Sequence, residues 1–156
     1  MPIYSLVAQT NRGESLALHQ FKGQYILICN TASQCAYTAQ YQELQALQER
    51  FRGSLVVLAF PSNDFKQQEQ GTDEEIGRFC VGVFGVKFPI MMKSKVVGPD
   101  KNEIFAWLAD TGKNGWNNME PTWNFCKYLV NPTGTLVGFF ESGVSPLDGE
   151  IADRIH

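Results

Sequence analysis

Four cysteines, at positions 29, 35, 80 and 126, carry most of the chemistry the sequence offers, with His19 and His156 as the only histidines. They are widely spaced and contain no CxxC pair, which argues against a zinc site or a disulfide framework; in a reducing cytosol they would rest as thiols. Cys35 is the candidate nucleophile. It follows the apolar run Ile26-Leu27-Ile28-Cys29 and the polar turn Asn30-Thr31-Ala32-Ser33-Gln34, and a helix is expected after it. The first N–H groups of a helix have no partner within it, and with the macrodipole they stabilise a thiolate, the reactive form of cysteine. Cysteine is ordinarily a buried, inert residue, but a polar turn before a helix reverses that reading. Position 38, where a local dithiol would have its second cysteine, is threonine, so Cys35 must act alone or with a distant partner.

The elements that must position Cys35 are legible from periodicity. Tyr37, Tyr41, Leu44, Leu47 and Phe51 form one stripe of an amphipathic helix starting at about Tyr37, with Gln40, Gln42, Glu43, Gln45, Glu49 and Arg50 on the remainder. Residues 25–30 and 55–60 are unbroken apolar runs, as expected of parallel strands covered on both faces, so strand, helix and strand make a right-handed βαβ unit. Cys35 then lies at the carboxyl end of the first strand, where open α/β sheets place their sites.

Elsewhere, residues 3–7 and 15–18 predict an opening β-hairpin, and residues 61–71 a polar loop. Thr72-Asp73-Glu74-Glu75 reads as a capping box for a helix through about Cys80, followed by a loose segment between Gly82 and Gly85. Residues 88–92 are extended, Ile104, Phe105, Trp107 and Leu108 share a helix face, and residues 111–121 form a loop. Residues 128–130 and 135–137 flank Asn131-Pro132-Thr133-Gly134 as a hairpin, and Ser145-Pro146 opens a terminal helix as N-cap and N1. This order predicts an α/β chain with a thioredoxin-like fold: a central mixed sheet flanked by helices, with an N-terminal β-hairpin, in a single domain over residues 1–156.

Composition narrows the function classes. A hydrophobic share of 44% over 156 residues suits one core. A net charge of −3, with no run of Lys or Arg, argues against nucleic-acid binding. The start Met1-Pro2-Ile3-Tyr4-Ser5 has neither a basic nor an apolar export segment, and the longest apolar run is far short of a membrane span, so the expectation is a soluble cytoplasmic protein.

Four collinear motifs carry a family resemblance: residues 30–38 (NTASQCAYT), residues 60–65 (FPSNDF), residues 68–76 (QEQGTDEEI) and Trp123-Asn124-Phe125. In order and spacing they resemble the glutathione peroxidase family, over nearly the whole chain. The resemblance implies a thiol peroxidase acting on hydrogen peroxide and organic hydroperoxides, with Cys35 as peroxidatic cysteine and Gln68, Trp123 and Asn124 as the rest of a catalytic tetrad. Taken singly, Trp123 reads as a core aromatic, Asn124 as a turn residue and Gln68 as a solvated side chain. Together, two amides and an indole are neutral donors suited to a thiolate and to charge developing on peroxide oxygens, with no metal or organic cofactor required.

Cys80 matches the resolving cysteine of the family's thioredoxin-dependent, two-cysteine branch. The implied cycle is a Cys35 sulfenic acid, then a Cys35–Cys80 disulfide, then reduction by thioredoxin, with glutathione as the alternative reductant. A disulfide needs Cα atoms within about 7 Å, so local unwinding between Gly77 and Gly85 is expected. Cys29 and Cys126 are assigned to packing. The sequence departs from the family pattern at Gln34 (usually lysine), Ala36 and Gln67 (glycine), Ser62 (cysteine), Asp64 (glutamine) and Gln70 (proline). Lacking the long insertion before Trp-Asn-Phe of the tetrameric members, the chain resembles the monomeric ones. Two other classes remain open: a redox sensor or relay that passes its disulfide to a partner protein, and a non-catalytic binding module of the same fold.

Overall fold

The structure, a computed structural model, describes residues 2–156. A single 3₁₀ turn at Ile3–Ser5 precedes the antiparallel hairpin of β1 (Val7–Gln9) and β2 (Ser15–Ala17). The hairpin is shorter than residues 3–7 and 15–18 suggested. Ile3 and Leu18 are fully buried core residues, and each lies in a 3₁₀ turn, the second at Leu18–Phe21; their apolar character reports burial and not pairing.

The next elements are β3 (Tyr25–Thr31), α1 (Gln40–Arg50) and β4 (Leu55–Pro61), with β3 and β4 parallel in register from Tyr25 opposite Leu55 to Thr31 opposite Pro61. α2 (Asp73–Phe84), α3 (Glu103–Leu108) and the one-turn α4 (Thr111–Asn114) follow, then β5 (Lys127–Val130), β6 (Leu136–Phe140) and α5 (Gly149–Ala152). The main sheet has the order β4-β3-β5-β6, with β5 antiparallel to both neighbours. Ile90 adds a parallel bridge to Ala59, and Met91 an antiparallel one to Thr10, so the extended residues 88–92 cover the β4 edge.

The strands alternate between two apolar layers, as a period of two requires. Leu27, Cys29, Val57, Ala59 and Leu129 face one layer, closed by Tyr41, Leu44 and Leu47 of α1, Ile76 and Cys80 of α2, and Ile151 of α5. Ile26, Ile28, Val56, Leu58, Tyr128 and Val130 face the other, closed by Ile104, Phe105, Trp107 and Leu108 of α3. A mixed sheet flanked by helices, with an N-terminal hairpin, is the expected architecture.

Three boundaries differ from the sequence expectation. α1 begins at Gln40 and not near Tyr37, because the preceding turns close with i to i+3 bonds, Gln40 N–H to Tyr37 O and Tyr41 N–H to Thr38 O. Tyr37 is exposed as a result, while Gln40 and Gln45 are buried. The loop at residues 111–121 contains α4, capped by Asp110. The last helix starts at Gly149 under an Asp148 cap; Ser145 instead caps a turn through Leu147 N–H and donates to Glu43 at 2.7 Å.

The capping box on α2 is present in full, with Thr72 accepting from Glu75 N–H and the Glu75 carboxylate accepting from Thr72 N–H. Thr72→Ala is expected to cost about 1 kcal/mol of unfolding free energy by chemical denaturation. The same variant should speed amide exchange within residues 73–84 ahead of the β3 and β4 amides.

Candidate active site

Cys35 lies in a tight turn and not at the first turn of α1, which starts five residues later. Thr38 closes the turn: its Oγ1 accepts the Cys35 N–H at 2.8 Å and donates to Ala32 O at 2.9 Å, and its own N–H bonds Cys35 O at 3.1 Å. The geometry turns the Tyr37 N–H onto Cys35 Sγ at 3.3 Å. One aimed amide takes the place expected for a helix terminus, its N–H directed at a partly exposed sulfur. Ordinary sequence reasoning saw only a missing second cysteine at position 38, yet Thr38 is what fixes the turn.

Gln68 and Asn124 meet directly, Asn124 Nδ2 donating to Gln68 Oε1 at 2.9 Å. That bond occupies the Gln68 oxygen and leaves its NH₂ as the free donor of the pair. Asn124 is fully buried, and its Oδ1 has no hydrogen-bond partner among the described residues. The Gln68 carbonyl accepts the Gln34 N–H at 3.0 Å, tying the loop of Gln68 to the turn of Cys35. Trp123 packs against Phe65, ring centroids 5.6 Å apart, with Lys66 Nζ over its face at 5.9 Å.

Asn30, which sequence reasoning passed over, holds the Trp-Asn-Phe loop to β3. Its side chain donates to Trp123 O at 2.8 Å and accepts from Cys126 N–H at 3.1 Å, while its carbonyl accepts the Phe125 N–H at 2.6 Å. Phe125 is buried at φ +65, and Lys66 and Gln67 both have φ +52, a region costly for side chains other than glycine. Gln67, where the family has glycine, therefore keeps a glycine-like backbone. Two other departures act as anchors: Ser62 Oγ accepts from Asp64 N–H, and Asp64 accepts from Val96 and Val97 N–H groups. Gln34, in place of lysine, is exposed.

Cys80 lies inside α2, fully buried, and not at its end; the helix runs unbroken past Gly77 and Gly82 to a left-handed Gly85. Expected unwinding is therefore absent from this state, because the capping box and Ile76–Cys80 packing hold the helix closed. Burial pushes the Cys80 thiol up to about 11, with the neighbouring Tyr41 hydroxyl opposing the rise. Cys29 is pushed up to about 12 by burial, and Cys126 is also buried, in keeping with packing roles. A concavity of about 850 Å³ between α2 and the residue 86–90 segment is lined by none of Cys35, Gln68, Trp123 and Asn124.

Glu69, beside Gln68, is a buried carboxylate at 1% exposure. It accepts from Ser33 Oγ at 3.0 Å, and its own N–H donates to Asn63 Oδ1. Burial pushes its pKa up to about 7, opposed by the Ser33 hydrogen bond and the Lys93 charge. No pattern marked it beforehand, since a lone Glu in a polar loop reads as solvated.

A thioredoxin-like sheet that presents one partly exposed cysteine, with no second cysteine in its turn and the loop of an amide pair tied to that turn, is the frame of a thiol peroxidase. The chain belongs to the glutathione peroxidase family, whose model, Glutathione peroxidase, matches residues 3–109. It is 40% identical over 148 residues to a Glutathione peroxidase homolog BsaA of Halalkalibacterium halodurans, covering 94% of each chain. It is also 40% identical over 153 residues to Glutathione peroxidase-like peroxiredoxin 2 of Saccharomyces cerevisiae, covering 95% of this chain and 93% of that one. Among solved structures, Trgpx in apo form superposes with a TM-score of 0.75 at 29% identity, over 99% of this chain and 92% of that one. A thioredoxin-family thiol:disulfide interchange protein from Chlorobium tepidum TLS, at 15% identity and TM-score 0.71 over 99% and 94% of the two chains, shares the fold. Among the described residues, no helix is long and apolar enough to cross a membrane.

The raised Glu69 carboxyl has a stability signature. Between its ordinary 4.5 and about 7 the folded chain keeps a proton that the unfolded chain has lost, so stability falls as pH rises through that window. Glu69→Gln should flatten this fall, gaining about 1–2 kcal/mol relative to the parent between pH 5 and pH 8 in denaturation titrations.

Proposed function

We propose that the chain, acting as one domain over residues 1–156, reduces hydrogen peroxide and organic hydroperoxides through Cys35, with Gln68, Trp123 and Asn124 as donors and Cys80 as the resolving thiol. The observation that carries this reading is the Cys35 sulfur itself: partly exposed, held by the Tyr37 N–H, and next to a loop whose Gln68 amide is freed as a donor by Asn124.

The Cys35 thiolate attacks one peroxide oxygen, the O–O bond breaks, and the departing oxygen leaves as water or alcohol after taking a proton. The Gln68 NH₂ and Trp123 N–H stabilise charge on that oxygen as it develops. Cys80 then displaces hydroxide from the Cys35 sulfenic acid to give a disulfide, once α2 opens. Thioredoxin reduces that disulfide, and glutathione is the alternative reductant. Regenerating both thiols needs a reducing compartment, so we assign the cycle to the cytoplasm. The missing insertion before Trp123 favours a monomer.

One observation favours a second reading. Cys80 is fully buried in a closed helix, with its thiol held at about 11, and slow resolution would give a Cys35 sulfenic acid time to meet a partner protein's thiol. The chain would then be a redox relay.

Cys35→Ser is expected to lower peroxide consumption with thioredoxin, thioredoxin reductase and NADPH by at least about 100-fold; an unchanged rate would sink the peroxidase reading. Cys80→Ser should keep the first equivalent of peroxide reduction and lose thioredoxin turnover. Peptide mass mapping after one equivalent of peroxide should find Cys35 linked to Cys80, whereas a mixed disulfide with a second protein would favour the relay.

A further inference from the structure

The Trp-Asn-Phe loop is held from a second side by a residue that neither the motifs nor the proposed cycle employs. Ser142, just past β6 and buried, donates its hydroxyl to Asn124 O at 2.5 Å. On the other side, Asn30 O accepts the Phe125 N–H at 2.6 Å. Asn124 C=O and Phe125 N–H belong to one planar peptide unit, so that unit is bonded at both ends, to β3 through its N–H and to Ser142 through its carbonyl.

The peptide unit depends on both bonds. It leads into Phe125 at φ +65, a conformation that a fully buried aromatic residue keeps only where its surroundings impose it. Turning the unit over would relieve Phe125 by changing ψ of Asn124 and φ of Phe125 together, and it would break the Asn30 and Ser142 bonds in the same motion. Asn124 is the residue whose Nδ2 donates to Gln68 Oε1 at 2.9 Å, so the backbone angle at stake belongs to the residue that orients the Gln68 amide.

Ser142 is itself fixed by donors from two other elements. Its carbonyl accepts from Gln40 Nε2 of α1 at 2.7 Å and from Lys127 Nζ of β5 at 3.1 Å, and the same ammonium donates to Val144 O at 2.5 Å. Lys127 is fully buried and has no carboxylate within 4 Å among the described residues. Burying an ammonium against carbonyls alone is costly, and its effect here is to hold residues 142–144 in place behind Asn124.

Resting on the reading of Cys35 as peroxidatic cysteine and of Gln68 as donor, we propose that Ser142 is a positioning residue of the peroxidatic step: its hydroxyl locks the Asn124–Phe125 peptide unit, and the locked unit sets the Asn124 amide against Gln68. Ser142 touches no reacting atom and acts through Asn124. Its loss frees the Gln68 amide from the direction in which it meets the departing peroxide oxygen, while the Cys35 turn, closed by Thr38, stays as it is.

The test is rapid-mixing kinetics on the full chain, comparing oxidation of Cys35 by hydrogen peroxide with alkylation of Cys35 by iodoacetamide. Alkylation uses the same thiolate but develops no charge on a departing peroxide oxygen. Ser142→Ala should slow oxidation about 10-fold and leave alkylation within about 2-fold of the parent, whereas a variant that only loosened the fold would move both. In a double-mutant cycle, Ser142→Ala should add less than about 2-fold to the loss caused by Asn124→Ala. Exchange of the Phe125 amide should speed at least about 10-fold in Ser142→Ala while exchange within β4 is unchanged. An unchanged oxidation rate in Ser142→Ala, a fall shared equally by alkylation, additive losses with Asn124→Ala, or an unmoved Phe125 amide overturns the role of Ser142. A parent whose Cys35 is not oxidised by peroxide overturns the peroxidase reading, and this role with it.

Discussion

The site depends on the side chain of one buried residue, Asn30. At the carboxyl end of β3 a strand would normally part from its neighbours, and there the Asn30 amide bonds across the gap to Trp123 O and Cys126 N–H, just ahead of the antiparallel β5. The chain before Cys35 and the loop of Trp123 and Asn124, more than ninety residues apart, thereby become one rigid edge. Being fully buried, the amide has little competition from water for these bonds, so removing it would leave backbone groups unsatisfied as well as a loop untethered.

Strain and polarity concentrate along the same edge. Lys66, Gln67 and Phe125 hold left-handed backbone without being glycine, and Asn124 Oδ1 is an unpaired buried oxygen. Such features persist only where surrounding bonds determine them. Here the fixing bonds are those from Asp64 to residues 96 and 97, from Gln34 N–H to Gln68 O, and from Asn30. A loop held this firmly keeps the Gln68 amide in place, the preorganisation that its proposed role as a donor to developing charge requires.

α2 has the opposite character. Its start is fastened by the capping box, but Gly77 and Gly82 weaken its interior, and Val81 and Val83 point their apolar side chains to solvent. A helix with a strong N-terminus and a weak body can release its later turns while keeping its first. Cys80 sits in the part able to release.

Much of this was readable in advance from local rules. Two apolar runs around an amphipathic stripe required a parallel βαβ unit, Thr72 to Glu75 required a helix start, and a cysteine followed three residues on by threonine required a thiol acting without a local partner. These follow from periods, caps and residue types within a few positions of each other. Boundaries such as the start of α1 at Gln40 shifted because Thr38 spends its hydroxyl and amide on the Cys35 turn, a competition between local hydrogen bonds that periodicity does not see. Asn30 and Glu69 were invisible for a different reason: a polar residue in a strand and an acid in a polar loop look unremarkable until folding buries them. Sequence alone determined the βαβ unit, the start of α2 and the candidate nucleophile, because each is read from neighbouring residues. Only the tertiary structure decided that Asn124 meets Gln68, that Cys80 is buried inside α2, and that the Glu69 carboxyl is buried against Ser33 of the Cys35 turn, because burial and the pairing of distant segments set both the contacts and the electrostatics.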